Sequence, residues 1–164
     1  MKIYIINLPT ANKRRQFQKK QLTRLSLDYE ILKATSIHDI SDETYAKHYK
    51  DWQRPLRNTE VACYFSHRSA WQKIIDTNTP TLILEDDALL SKYVPELLKS
   101  FTNKQNVDLI NLEVAGRKKF ISNIGENITC NSKLFRLYQD RNGAAGYVLW
   151  PSGAKKLLEH ESLN

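Results

Sequence analysis

The stretch TPTLILEDDALL, Thr79 to Leu90, runs an apolar, strand-like segment (Thr81 to Leu84) straight into three consecutive acids, Glu85, Asp86 and Asp87. Adjacent carboxylates repel one another, so the triplet costs stability unless water or a cation screens it. In open α/β sheets ligands bind outside the carboxyl ends of the strands, which is where these acids would sit. Carboxylate oxygens select hard cations such as magnesium or manganese. Alternation along extended backbone would send Glu85 and Asp87 to one side and Asp86 to the other, making the first two an expected metal and nucleotide clamp. A solvated strand end, or a cap for the next helix, is the competing reading.

Working outward, the pattern alternates strand and helix. KIYIINL (Lys2 to Leu8) is apolar nearly throughout, as in a strand covered on both faces. Asn12 to Leu25 reads as a helix with Phe17, Leu22 and Leu25 on its apolar side, and DYEILKAT (Asp28 to Thr35) as a second strand. SDETYAKHY (Ser41 to Tyr49) reads as a short helix capped by Ser41. The clearest helix is EVACYFSHRSAWQKIID, Glu60 to Asp76, with apolar residues at 3.6-residue period, and TNTP ends it before the acidic strand. Beyond the acids come a helix from Pro95 to Lys104, a strand VDLINLE (Val107 to Glu113), and a loop from Gly116 to Ser132 with room for a short hairpin. KLFRLY and AAGYVLW are strand candidates, and PSGAKKLLEH (Pro151 to His160) a closing helix. The expected fold is a single α/β domain with a mainly parallel central sheet flanked by helices.

With 164 residues the chain is one domain long, and it carries a net charge of +7. The basic residues cluster most densely in NKRRQFQKKQLTR, Asn12 to Arg24, a pattern expected of a solvated helix face. RNA-binding signatures are absent, so no nucleic-acid partner is expected, although a basic nucleic-acid-binding domain is the third function considered. An anionic substrate or a peripheral contact with an anionic membrane accounts for the excess. Cys63 and Cys130 are too few and too far apart for a zinc knuckle or disulfide framework, and no metal site is expected on them. The N-terminus lacks the apolar length of a signal segment, and no stretch approaches the roughly 20 residues of a membrane span. The expected location is the cytoplasm, peripheral at most to the inner membrane.

Four blocks in order, INLPTANKRR, EVACYFSHRSAW, LILEDD and AAGYVLWPSGAKKLL, resemble glycosyltransferase family 25, the bacterial lipooligosaccharide-biosynthesis family to which collagen galactosyltransferase domains are also similar. The resemblance implies a GT-A-type, Rossmann-like enzyme that takes a UDP-sugar donor, usually with a divalent metal, Mn2+ or Mg2+, and transfers to a lipooligosaccharide or other glycan acceptor. It places nucleotide-sugar contacts at Asn7, Leu8, Arg14, Arg15, Glu85 and Asp86, and metal ligation at Asp87 and Glu85. Glu60, Cys63, Ser66, His67 and Trp71 match its helix motif; Ala62 replaces a glycine usual there. His67 is a candidate at the nucleotide-sugar site, with a half-buried structural histidine as the alternative. Arg68 falls among apolar positions and could reach a carboxylate or phosphate at the sheet end. Trp52, Tyr147 and Trp150 would line a sugar site or pack in the core. An inverting transfer needs a carboxylate base, for which Glu113 and Asp140 are the candidates. Galactose from UDP-galactose is the expected donor sugar. Family members commonly continue past the last helix, so a C-terminal truncation, and with it a catalytically silent nucleotide-sugar-binding domain, is the alternative to an active enzyme spanning 1–164.

Overall fold

The structure is a computed structural model that describes residues 1–51, 53–114, 116, 118–140 and 143–160. Trp52, one of the three aromatics considered for a sugar site, lies outside the described residues. β1 (Lys2–Asn7) forms because every residue after Lys2 is buried, so both faces of the strand must be covered. It pairs in parallel with β2 (Glu30–Lys33) on one side and β3 (Thr81–Glu85) on the other, with Ile3 opposite Leu82 and Ile5 opposite Leu84. Between β1 and β2 runs α1 (Asn12–Arg24). Between β2 and β3 come a 3₁₀ turn (Ile37–Asp39), α2 (Asp42–His48) and the long α3 (Asn58–Thr77). Ser41 caps α2 as its sequence suggests, accepting the Thr44 N–H at 3.1 Å.

α4 (Val94–Phe101) leads into β4 (Leu109–Asn111), and the chain closes through β7 (Gly146–Leu149) and α5 (Pro151–Glu159). The sheet order is β2-β1-β3-β7-β4. β7 runs antiparallel to both β3 and β4, so four strands share one direction and one is reversed. That reversal needs no crossover helix, because antiparallel neighbours can be joined without one. Strand alternation separates two apolar layers. Ile3, Ile5, Leu82 and Leu84 pack with Leu22 of α1 and Leu98 and Phe101 of α4. Tyr4, Ile6 and Ile83 pack with Ala70 and Ile74 of α3 and Ala154 of α5. Each fully buried Ile or Leu contributes about 1.5–3 kcal/mol, so these layers are what hold the strand ends in place. α5 docks closely because residue 153 is glycine: a Cβ there would overlap the Asp108 carbonyl.

Several expectations need correction. The segment from Gly116 to Ser132 is mostly strand: β5 (Phe120–Thr129) pairs with β6 (Ser132–Gln139) in a separate two-stranded sheet. Three register shifts along the pair break the two-residue alternation, which is why the sequence shows so little of it. Phe17 is exposed, and the buried face of α1 is instead Gln18, Gln21 and Leu22. Arg68 donates to Tyr64 Oη and the Leu158 carbonyl rather than reaching the sheet end. Tyr147 and Trp150 are buried core residues. Among the described residues no helix is long and apolar enough to cross a membrane.

At the start of α3, Glu60 accepts the Arg57 N–H at 2.8 Å and both arms of the Arg54 fork at 2.9 and 2.5 Å. The Arg54 bonds foremost hold its carboxyl down to about 2. A depressed folded-state value means that the stabilisation is complete above the unfolded value of about 4.3 and fades as pH falls toward the folded one. Glu60→Gln is therefore expected to lower stability by about 1 kcal/mol at neutral pH. Urea titrations from pH 7 downward should show that deficit shrinking below about pH 4.3; a deficit that does not change with pH would refute the assignment.

Candidate active site

At the carboxyl end of the parallel strands, the three acids go to three different partners. β3 stops at Glu85 and the backbone turns over Asp86 and Asp87, so simple alternation ends there. Asp86 turns inward, where Oδ2 accepts the Asn7 side-chain N–H at 2.7 Å and Oδ1 accepts Arg14 Nη1 at 3.0 Å. Its side chain keeps 9% exposure, whereas that of Asp87 is 55% exposed, with Arg14 Nη1 at 3.6 Å. Asp86, which alternation would send to the side opposite Glu85 and Asp87, is thus held at the strand end by Asn7 and Arg14. The reason is the turn, which replaces extended backbone at the point where alternation was applied.

Asn7, the last residue of β1, is a buried junction. Its Nδ2 also donates to the Ala11 carbonyl at 3.3 Å, and its Oδ1 accepts Arg15 Nε at 3.3 Å. Leu8 follows it, partly exposed, and its carbonyl accepts the Ala11 N–H as the chain turns into α1. Arg15 also donates to the Pro9 carbonyl, so its described partners are neutral while those of Arg14 are carboxylates. One turn on, Gln18 donates to the Ala88 carbonyl at 2.8 Å, and Gln21 accepts the Leu90 N–H at 2.8 Å. These two glutamines clamp the loop that carries the acids. Their signal was the i, i+3 spacing beside Leu22, masked by the louder apolar residue Phe17.

Glu85 faces α3. Its Oε1 lies 3.3 Å from His67 Nε2 and 3.5 Å from Cys63 Sγ. His67 Nδ1 is 2.8 Å from the Tyr147 hydroxyl, which also receives the Trp71 indole N–H at 2.7 Å. An indole can only donate, so the buried Tyr147 proton is left to bond His67 Nδ1, and the histidine carries its own proton on Nε2, aimed at Glu85. His67 is buried and held at both ring nitrogens, more enclosed than the half-buried structural histidine considered for it. Its bond to Glu85, more than any other cause, lowers the carboxyl's pKa. The Cys63 thiol is pushed up to about 12, first by the protein packed around it and then by Glu85, although part of the residue reaches solvent. No metal was expected on the cysteines, yet Cys63, His67 and Glu85 present ligand atoms within 4.8 Å of one another.

The two base candidates sit at the same sheet end, beyond β7. The Glu85 N–H donates to the Ala145 carbonyl at 3.0 Å, and the Ala145 N–H donates to Glu113 Oε2 at 3.2 Å. Asn111 bridges them, accepting the Glu113 N–H at 2.7 Å and donating to Asp140 at 2.8 Å. Asp140 is also paired with Lys119 at 2.6 Å, its side chain only 10% exposed. The strand ends therefore bring the donor candidates Asn7, Arg14, Glu85, Asp86 and Asp87 near the ends of β1 and β3, and the base candidates Glu113 and Asp140 to Asn111 at the end of β4.

The family description "Glycosyltransferase family 25 (LPS biosynthesis protein)" matches residues 1–163. A glycosyltransferase 25 family member of Aedes aegypti is 29% identical across 98% of this chain and 28% of its own length. Procollagen galactosyltransferase 1-A of Xenopus laevis is 28% identical across 98% of this chain and 28% of its own. Lipooligosaccharide biosynthesis protein lic2B of Haemophilus influenzae is 27% identical across 96% of this chain and 62% of its own. The chain thus spans between about a quarter and two thirds of the length of these relatives.

The geometry separates the structural acid from the accessible one. Asp86→Asn leaves a donor where Arg14 or Asn7 needs an acceptor, and is expected to cost about 1–3 kcal/mol. Asp87→Asn, at the surface, should change stability by no more than about 0.5 kcal/mol. Denaturant titration of both variants checks the contrast, and equal losses would contradict it.

Proposed function

Because the chain belongs to glycosyltransferase family 25, we propose that it transfers a hexose, galactose from UDP-galactose, to a lipooligosaccharide or related glycan acceptor with inversion at the anomeric carbon. The names of lic2B and of the procollagen galactosyltransferase support the acceptor class and the sugar respectively. The observation that carries the proposal is the ordered acidic turn at the ends of β1 and β3, clamped by α1, with Asp87 left open to solvent.

Each residue then has a task. Arg15, whose described partners are neutral acceptors, has charge to offer a diphosphate, while Arg14 is committed to Asp86 and Asp87. Asp87 is an exposed hard oxygen donor of the kind Mn2+ or Mg2+ takes, one or two carboxylates being enough when phosphates complete the shell. Glu85 is the second carboxylate. When bound, such an ion would offset the charge that grows on the leaving diphosphate. Of the two bases, Glu113 is better placed: Asp140 is held by Lys119 and Asn111, whereas Glu113 is linked through Ala145 directly to Glu85. It would take the acceptor hydroxyl proton as the new glycosidic bond forms.

Calorimetry with UDP and uridine, with and without manganese, tests the donor half. Asp87→Asn should lose the manganese-dependent part of UDP affinity while staying folded. Arg15→Ala should weaken UDP roughly 10-fold or more and leave uridine unchanged, since a charge-assisted bond contributes about 1.5–3 kcal/mol. Lys19→Ala and Lys20→Ala should alter neither; equal losses at all three positions would mean a diffuse charge effect. UDP release from UDP-galactose on adding a saccharide acceptor, abolished in Glu113→Gln, tests the transfer. UDP binding without turnover would reduce the function to donor binding.

A further inference from the structure

We propose that Cys63, His67 and Glu85 form a three-ligand site for a thiophilic divalent cation of the zinc class, distinguished by its sulfur and nitrogen donors from the hard-cation role of Asp87, with which it shares Glu85. One sulfur, one imidazole nitrogen and one carboxylate oxygen lie within 4.8 Å of one another, with Sγ to Oε1 at 3.5 Å and Nε2 to Oε1 at 3.3 Å. Zinc binds sulfur at about 2.3 Å and nitrogen or oxygen at about 2.0–2.2 Å in a tetrahedron, whose edges are therefore roughly 3.3–3.6 Å long. Two of the three spacings already match such edges, and small side-chain rotations close the third.

The scaffold is rigid where a metal site needs it to be. Cys63 and His67 are four residues apart on one face of α3, and Glu85 ends a central strand. Cys63 reaches solvent, so an ion has a way in and the fourth position is left to water or another ligand. A thiolate among the donors favours zinc over magnesium or manganese. The carboxylates of Glu85, Asp87 and Glu60 that disfavour a thiolate here attract a cation for the same reason, and a bound cation reverses the penalty on the thiol. Binding releases the Cys63 proton to solvent. The His67 proton moves from Nε2 to Nδ1 and is donated to the Tyr147 oxygen, the kind of outer partner that ligating histidines have. Tyr147's own proton then loses its acceptor, which keeps affinity below that of a closed four-ligand site. Glu85 is common to this site and to the proposed donor site, but the geometry stands without any nucleotide.

The test is a cobalt titration of the chelator-treated 164-residue chain with no nucleotide present. One equivalent should produce near-ultraviolet thiolate-to-cobalt charge transfer and the strong visible bands of four-coordinate cobalt, both erased by zinc. Cys63→Ser should remove the charge-transfer band and Cys130→Ser should keep it. His67→Gln should weaken cobalt roughly 10-fold or more, in line with loss of a site-defining group. Because His67 is buried, circular dichroism must first show that this variant folds. If it does not, Glu85→Gln, with the same expected loss, takes its place. Absence of the thiolate band in the parent chain, its survival in Cys63→Ser, or unchanged affinity in the folded ligand variant would overturn the proposal.

Discussion

The buried carboxylate of Asp86 ties together the parts on which the site depends. With one oxygen on Asn7 and the other on Arg14, it fastens the end of β3 to the end of β1 and to the first turn of α1. A buried carboxylate is tolerable only when its oxygens are satisfied, so this pairing dictates where α1 begins relative to the sheet. It also resolves the repulsion built into three consecutive acids. Glu85 is held as a carboxylate by hydrogen bonding toward α3, Asp86 is satisfied by β1 and α1, and Asp87 stays the most exposed of the three, beside Arg14.

The two helices that grip the acidic turn do so by different chemistry. α1 uses amide side chains: Gln18 and Gln21 are buried, and they satisfy backbone groups of the loop after β3 that no strand partner would reach. α3 uses a hydrogen-bonded series, from the Trp71 indole through the Tyr147 hydroxyl to His67, that fixes one tautomer and points it at Glu85. Because Tyr147 belongs to β7, this series also couples the donor end of the sheet to the strand beside the base candidates. The antiparallel insertion of β7 is thus more than a topological detail: it brings Ala145 between Glu85 and Glu113.

What the sequence made legible was what rests on apolar runs and local chemistry. Continuous burial marks β1 and β3, 3.6-residue period marks α3, and Ser41 marks the start of α2. The acidic triplet pointed to the carboxyl end of β3 as the candidate site because strand ends in an α/β sheet are where ligands bind. Three things escaped. The full length of β5, in a stretch expected to be loop with room for a short hairpin, did so because bulges erase its alternation. The clamp of Gln18 and Gln21 did so because a buried polar face looks like a solvated one in sequence. The inward turn of Asp86 did so because its partners, Asn7 and Arg14, are more than 70 residues away along the chain, and no local pattern reports such a contact.

The most direct measurement is a crystal structure of the protein with UDP and manganese. The diphosphate is expected at the carboxyl ends of β1 and β3, within hydrogen-bond reach of Arg15, with manganese on Asp87 and the Asp86 bonds to Asn7 and Arg14 intact. A nucleotide seated elsewhere, such as the surface groove of about 680 Å³ between α2 and α3 lined by Lys47, Tyr64 and Arg68, would contradict it.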